Sequence, residues 1–161
     1  MKHVICYINQ FFGGVGGEEK ADQEPYIVEG TVGPTMAING ALKDAQVTHT
    51  IVCGDNFMGS RTDEAVERIL QLLEGKQADL FIAGPAFQAG RYGVACGTIC
   101  KAIQEKLGIP AVTSMHVCEP EIKGEFDSAI YDEQVGMMEM VLDVDDIVQE
   151  MTSIREQFCK Y

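Results

Sequence analysis

The chain has 161 residues, a length that favours one domain, and its 46% hydrophobic and 23% charged residues are ordinary for a globular protein. Its formal net charge of −13 disfavours nucleic acids and anionic membranes as partners, because both are bound through basic patches. No apolar run approaches the ~20 residues of a membrane span, and the N-terminus lacks the features of a signal peptide. We therefore expect a cytoplasmic protein whose six cysteines are mostly reduced.

Short apolar runs predict buried strands, and segments with helical periodicity separate them. In chain order the predicted elements are a strand at 3–8, a helix at 34–42, a strand at 47–53, a helix at 62–73 with Thr62 as its N-cap, a strand at 79–83, a helix at 92–107 and a strand at 109–115.

After residue 115 the pattern weakens. Residues 128–131 form a short predicted strand, and 143–158 read as an amphipathic helix with its apolar residues on one face. We expect one α/β domain over 1–161, with a divergent part at 118–161 that ends in this helix.

Strands that alternate with helices indicate βαβ units and a mainly parallel sheet. With helices on both faces, the predicted fold has three layers and is Rossmann-like or flavodoxin-like. Ligands bind such sheets at the carboxyl ends of the strands. The unusual loops at 10–24, 54–60 and 84–97 follow the first three predicted strands, and so we expect them to converge on one cleft.

The loop after the first strand is rich in glycine. Its sequence matches neither the dinucleotide-binding G-x-G-x-x-G pattern nor a P-loop, so nucleotide binding is weakly supported and we predict no cofactor. A tight turn is the simplest interpretation. The alternative is a nest of backbone N–H groups from Gly14, Gly16 and Gly17 that binds a carboxylate or another protein loop.

Arg91 stands at the predicted N-terminus of a helix, where backbone N–H groups attract anions. Its guanidinium can hold a carboxylate through two parallel hydrogen bonds, with Tyr92 beside it, which suits the carboxylate of an amino acid. Alternatively, Arg91 is a surface residue that pairs with the acidic excess. Asp55 and Asn56, at the end of the second predicted strand, can meet an ammonium group or form an Asx turn.

Cys96 and Cys100 lie four residues apart on one face of the predicted helix at 92–107. A thiol near a helix N-terminus has a depressed pKa, which makes Cys96 the candidate catalytic residue. The alternative is that both cysteines are small core residues, because free cysteine is often buried. A zinc site that adds His116 and Cys118 does not follow a recognised ligand spacing, and so we predict no metal.

Four stretches of the chain form a recognisable set. They are FGGVGGEEKAD at 12–22, VCGDN at 52–56, DLFIAGPAFQAGRYGVACG at 79–97 and GIPAVTSM at 108–115. Together they resemble the selenoprotein B component of the glycine/sarcosine/betaine reductases. The resemblance runs from about residue 3 to residue 117, and the sequence then drifts from the family.

The resemblance implies a reductase system that binds a small amino-acid-like carboxylate for reductive cleavage of a C–N bond. In that family a pyruvoyl group on one subunit is thought to hold the substrate amine. A selenocysteine of component B attacks the α-carbon, and a second selenoprotein, A, collects the carboxymethyl group that becomes acetyl phosphate. The implied partners are a pyruvoyl-containing subunit, a selenoprotein A-like protein and the small carboxylate; homo-oligomer formation is left open.

The 161 residues contain no selenocysteine, which family members carry in a second region. The nucleophile is therefore not carried over, and Cys96 does not gain that role from the resemblance. We expect either a reductase component that needs partner subunits or a non-catalytic binding or assembly module that kept the fold without the reaction. In both cases the chain alone should show no turnover on glycine, sarcosine or betaine.

Overall fold

The fold is α/β and is built on a mixed sheet. The computed structural model describes residues 1–84 and 90–115 and the short segments 130–132 and 142–143. The strands are β1 (Lys2–Asn9), β2 (Tyr26–Glu29), β3 (Leu42–Lys43), β4 (Ala45–Cys53), β5 (Leu80–Ala83), β6 (Ala111–Met115), β7 (Ile130–Asp132) and β8 (Leu142–Asp143). The helices are α1 (Thr35–Ala41), α2 (Asp55–Ser60), α3 (Thr62–Leu72) and α4 (Gly90–Leu107), and a 3₁₀ turn spans Glu18–Lys20.

The large sheet has six strands in the order β2-β4-β1-β5-β6-β7. β2 runs antiparallel to β4, whereas each of the other neighbouring pairs is parallel. β3 and β8 form a separate parallel pair. Because β1, β4, β5 and β6 run in the same direction, the loops that follow them leave from one side of the sheet, which we call the carboxyl edge.

Side chains on both faces of the sheet are buried. Val4 and Cys6 of β1 belong to one core cluster, which also contains Ile38 of α1. The alternate residues Ile5 and Tyr7 belong to a second cluster, to which α2, α3 and α4 contribute. Successive side chains of a strand point to opposite faces, so β1 is buried on both sides and reads as an unbroken apolar run.

The predicted α/β character is confirmed, and the predicted strands and helices are observed with shifts of a few residues. The last long strand begins at Ala111 rather than 109, because Pro110 has no N–H to pair with a neighbour. Three strands and one α-helix were not predicted: β2, β3, β8 and α2. The helix expected at 143–158 lies outside the described residues, except for Asp143, which pairs in β8.

The prediction that Thr62 is an N-cap is wrong. Arg61 occupies that position without a side-chain cap hydrogen bond, and Thr62 is the first residue of α3. The cause is α2, which ends immediately upstream, so that the Thr62 hydroxyl donates back to the carbonyl of Met58 at 2.7 Å. Among the described residues, no helix combines the length and apolar character needed to cross a bilayer.

Candidate functional site

The loops that follow β1, β4 and β5 are joined at the carboxyl edge by side chains. Asn9, the last residue of β1, donates from Nδ2 to Oδ2 of Asp55 at 3.0 Å. The backbone N–H of Asp55 donates to Oε1 of Gln10, also at 3.0 Å. Arg91, in the first turn of α4, donates from Nη2 to Oε2 of Glu18 at 2.6 Å. The contacts therefore bring Asp55 and Arg91 to the same side of the sheet.

Backbone contacts hold the first two of these loops against each other. The carbonyl of Ala21 accepts the N–H groups of both Asn56 and Phe57, at 2.9 and 3.0 Å, and the N–H of Gly54 donates to Gln23 at 2.9 Å. A Cβ atom on Gly54 would lie 2.1 Å from the Ala21 carbonyl oxygen. Only glycine permits this approach, and it fixes where α2 begins.

Asp55 is a buried carboxyl group of which one oxygen accepts a hydrogen bond and the other has no partner among the described residues. Its side chain is 7% exposed, and Oδ2 accepts from Asn9. Its Oδ1 is buried and has no hydrogen-bond partner in the described part of the chain. Burial raises the pKa of Asp55, and the Asn9 hydrogen bond and the charge of Arg91 offset this in part. A ligand with a positive charge or an N–H group would complete its surroundings.

The guanidinium of Arg91 is already paired with a carboxylate of the protein. The Arg91 and Glu18 side chains are 44% and 76% exposed, which makes the contact a surface ion pair. The hydrogen bond that Arg91 donates to Glu18 is the largest cause of the raised pKa of Arg91, and the charges of Asp55 and Asp22 add to it. Arg91 therefore pairs with one residue of the acidic excess, Glu18, and its charge also acts on Asp55.

The glycine-rich loop uses its own backbone amides. The N–H of Gly14 donates to Phe11, that of Gly16 donates to Gln10 at 3.4 Å, and that of Gly17 donates to Oε1 of Glu19 at 3.0 Å. Gly14 has a φ of 76°, as expected for a tight turn. These amides serve the loop itself, and a role for Gly14, Gly16 and Gly17 in binding a ligand stays a prediction.

Asn56 and Tyr92 both belong to the same region but differ in exposure. Asn56 Nδ2 donates to Oδ1 of Asp22, which ties α2 to the loop after β1. Tyr92 is 1% exposed, and its ring lies 5.7 Å from that of Phe12. Its hydroxyl has no hydrogen-bond partner in the described ranges. Tyr92 is therefore a core residue whose hydroxyl makes no hydrogen bond within the described part of the chain.

The expected depressed pKa of Cys96 is wrong. The residue is fully buried, and burial raises the pKa of its thiol well above the usual value. The cause is packing of the thiol in the core cluster to which α4 contributes, where burial disfavours the charged thiolate. A catalytic role for Cys96 stays a prediction that its burial does not favour.

The other described cysteines are equally enclosed. Burial raises the pKa of Cys6 and of Cys53 to about 12, and it also raises the pKa of Cys100. All four are free thiols. No group of His, Cys, Asp and Glu within the described ranges is arranged to hold a metal ion, and His116 and Cys118 lie outside those ranges.

Sequence reasoning missed several polar residues that complete this region. Tyr7 and Thr113 are fully buried, and neither the Tyr7 hydroxyl nor Thr113 Oγ1 has a hydrogen-bond partner among the described residues. Asn9 and Gln10, which hold Asp55, were missed as well. The available signal was a polar side chain within or directly after an apolar strand.

The family model for the glycine/sarcosine/betaine reductase selenoprotein B (GRDB) matches residues 1–160, further than the expected 3–117. The betaine reductase complex component B subunit beta of Peptoclostridium acidaminophilum is 63% identical over 123 residues, which cover 76% of this chain and 28% of that protein. The glycine reductase complex component B subunit gamma of Carboxydothermus hydrogenoformans is 46% identical over 139 residues, 83% of this chain and 32% of that protein. The chain thus spans under a third of these relatives.

A second kind of relative is a different component. Glycine/sarcosine/betaine reductase complex component A of Peptoclostridium litorale is 70% identical over 46 residues, which are 29% of this chain and 29% of that protein. No solved structure matches the chain.

Proposed function

Because the chain belongs to the glycine/sarcosine/betaine reductase selenoprotein B family, we propose that it is a component of such a reductase system. In this role it binds a small amino-acid-like carboxylate for reductive C–N cleavage by partner subunits. The observation that carries the proposal is the placement of Asp55 and Arg91 at the same carboxyl edge, where the charge of each acts on the other. An amino acid carries the two complementary charges.

The proposed architecture is flavodoxin-like and three-layered. Counted along the chain, the parallel strands of the large sheet stand in the order 2-1-3-4-5, which is the flavodoxin order. The assignment of α1 to one core cluster and of α2, α3 and α4 to the other supports helices on both faces. In this arrangement the strand order reverses between β1 and β5, and ligands bind at the carboxyl ends of the strands beside that point.

In the proposed binding mode, the ligand carboxylate takes the position of the Glu18 carboxylate on Arg91. An exposed ion pair contributes about 0–1 kcal/mol, so a ligand with the same group can replace it. The remaining residues of the proposed site are those assigned from the sequence: Gly14, Gly16, Gly17, Asn56 and Tyr92.

The proposed partners are a pyruvoyl-containing subunit and a selenoprotein A-like protein. The relatives support membership of a complex, since they are named as components B and A. Four free, buried thiols agree with the proposed cytoplasmic location, where thiols stay reduced.

The similarity to component A supports a further part of the proposal. The component A match is 46 residues long, and residues 118–161, where the sequence drifts from the component B pattern, number 44. We propose that this segment is the component A-like part, so that one chain joins sequence from two components. Such a chain would compete with component A for a shared partner.

One observation favours the alternative, a non-catalytic binding or assembly module. All four described cysteines are buried, and burial raises the pKa of each thiol. None of them is prepared to act as a nucleophile. The alternative predicts that the chain captures partners but does not bind the small carboxylate.

Affinity capture with the full chain tests the proposal. Extract from cells grown on glycine or betaine is passed over the immobilised chain, and bound proteins are identified by mass spectrometry, with heat-unfolded chain on the same resin as the control. We expect the pyruvoyl-containing subunit to be enriched, and added component A to reduce its capture. Enrichment of neither partner would contradict the proposal. Calorimetric titration with glycine then separates the two functions, since an assembly module gives no heat of binding.

A further inference from the structure

Four oxygen atoms at the carboxyl edge are buried and without a hydrogen-bond partner among the described residues. They are Tyr7 Oη, Asp55 Oδ1, Tyr92 Oη and Thr113 Oγ1, which we call the oxygen cluster. Each of the four side chains is at least nine-tenths buried. Leaving a buried polar atom without a partner costs about 1–3 kcal/mol, so four in one region call for an occupant.

The strand register and the electrostatics put these groups together. Tyr7 of β1 lies beside Ala83 of β5, and Ala83 lies beside Thr113 of β6, so the three form one row across the sheet. From α4, Tyr92 adjoins the row, and the charge of Asp55 acts on both tyrosines.

The chemistry of the cluster is that of a cation site. All four atoms are oxygens, and an oxygen of an ionised carboxylate or of a hydroxyl accepts hydrogen bonds. Asp55 brings a negative charge, and Arg91, the cation that acts on it, is held by Glu18. A buried carboxylate is stabilised by a paired positive charge. Asp55 is also the most exposed member of the cluster, at 7%.

We propose that the oxygen cluster binds a protonated amine that carries N–H groups, either a free alkylammonium ion or the amino end of an amino acid. The N–H groups donate to Asp55 Oδ1 and to the hydroxyl oxygens, and the positive charge offsets that of Asp55. This inference rests on the proposed function and deepens it, because it assigns the amino end of the ligand to groups other than Arg91.

The test is a thermal-shift and calorimetric titration of the full chain at constant ionic strength. The probes are methylammonium chloride and glycine, with tetramethylammonium chloride as a cation without N–H groups and potassium chloride as a charge control. We expect the first two to raise Tm and the last two to leave it unchanged. A rise with methylammonium but not with glycine assigns the site to free amines, and a rise with both includes amino acids.

Three substitutions test whether the amine binds at the oxygen cluster. Asp55→Asn removes the charge, and Thr113→Val and Tyr7→Phe each remove one hydroxyl at nearly constant shape. Each is expected to weaken amine binding at least tenfold. The matched control is Thr50→Val, since Thr50 is equally buried but its hydroxyl already donates to the carbonyl of Gly30 at 2.8 Å.

Thr50→Val should lower the stability of the chain and leave the amine-induced rise in Tm intact. Equal shifts with methylammonium and tetramethylammonium would overturn the inference, because N–H donation would then be irrelevant. Absence of any shift would also overturn it and would mean that internal water fills the cluster. Partner capture is measured separately, so the proposed function can fail while amine binding holds, and the reverse.

Discussion

Arg91 and Glu18, 73 residues apart in the sequence, join the first turn of α4 to the 3₁₀ turn after β1 through an Nη2–Oε2 contact of 2.6 Å. Both side chains are largely exposed, so the pair adds little to stability. The pair matters because the Glu18 carboxylate is bound to the guanidinium that we propose as the binding group for the ligand carboxylate. Protein and ligand therefore compete for one cation.

Glu18→Gln should increase the affinity of the chain for glycine several-fold. The substitution removes the competing charge, while the free energy of unfolding should change by less than about 1 kcal/mol. Titration calorimetry at low and at high salt measures the effect, which salt should diminish. Glu64→Gln is the matched control, because Glu64 forms an exposed pair with Arg68 at 2.9 Å within α3. Glycine affinity that is unchanged in Glu18→Gln would count against a ligand carboxylate at Arg91.

Asp55→Asn should stabilise the unliganded chain at neutral pH. The pKa of Asp55 is raised in the folded state from its ordinary 3.8, so between the two values the folded chain binds more protons than the unfolded chain. Stability therefore falls as the pH rises from about 4 through the folded pKa. Relief of a buried, incompletely paired carboxylate is expected to raise Tm by about 2–4 °C, the effect of about 1 kcal/mol in a chain of this size.

Urea unfolding of the wild type and of Asp55→Asn between pH 4 and pH 8 measures this effect. The advantage of the variant should grow with pH and then level off. Asp63→Asn, on the exposed face of α3, controls for the loss of a negative charge. A difference between wild type and Asp55→Asn that is the same at every pH would show that the ionisation of Asp55 is not its cause.

Gly54→Ala should destabilise the chain by about 3 kcal/mol. The added Cβ meets the Ala21 carbonyl oxygen at 2.1 Å, and the obstacle is backbone, which cannot rotate aside as a side chain does. The control is Gly59→Ala within α2, where no atom lies within 4 Å of the new Cβ. That change should be neutral or should stabilise by up to about 1 kcal/mol. Chemical denaturation of both variants measures their free energies of unfolding. Equal stabilities would refute the close approach of Gly54 to the Ala21 carbonyl.

Cys96 and Cys100 should both react slowly with iodoacetamide in the native chain. Both thiols are buried, and burial raises the pKa of each, so little thiolate is present or accessible at neutral pH. Timed labelling at several pH values, read by peptide mass spectrometry with glutathione in the same reaction, measures the rates. Denaturing urea should remove the difference from glutathione. Native labelling of Cys96 as fast as glutathione would restore it as a candidate nucleophile.

The central strands were predictable because they carry the plainest signal. The runs at 4–8 and 80–83 are apolar without interruption, as expected of strands buried on both faces. β2 was missed because it is short, half-buried and at the edge of the sheet. α2 was missed because it begins inside a predicted turn and contains Gly59, so it shows no helical periodicity of apolar residues.

The site was predictable only as far as the ends of the strands. Strand direction alone brought Asp55 and Arg91 to one edge. The partner of Arg91 is a residue 73 positions away, and no local pattern encodes such a contact. The expected reactivity of Cys96 failed because the thiol packs in the core, and no local sequence pattern showed which face of the helix at 92–107 would be buried.

The carbonyl of Ala21 accepts two amides of α2, and so the loop after β1 and the start of α2 must separate when either one opens. The loop cannot lift from the carboxyl edge without releasing the amides of Asn56 and Phe57 to solvent. Deuterium uptake at these two amides therefore reports the opening of the loop rather than fraying of α2. A ligand that binds beneath the loop must slow deuterium uptake at these two amides. Their exchange rate therefore measures how often the loop opens and how far a ligand closes it.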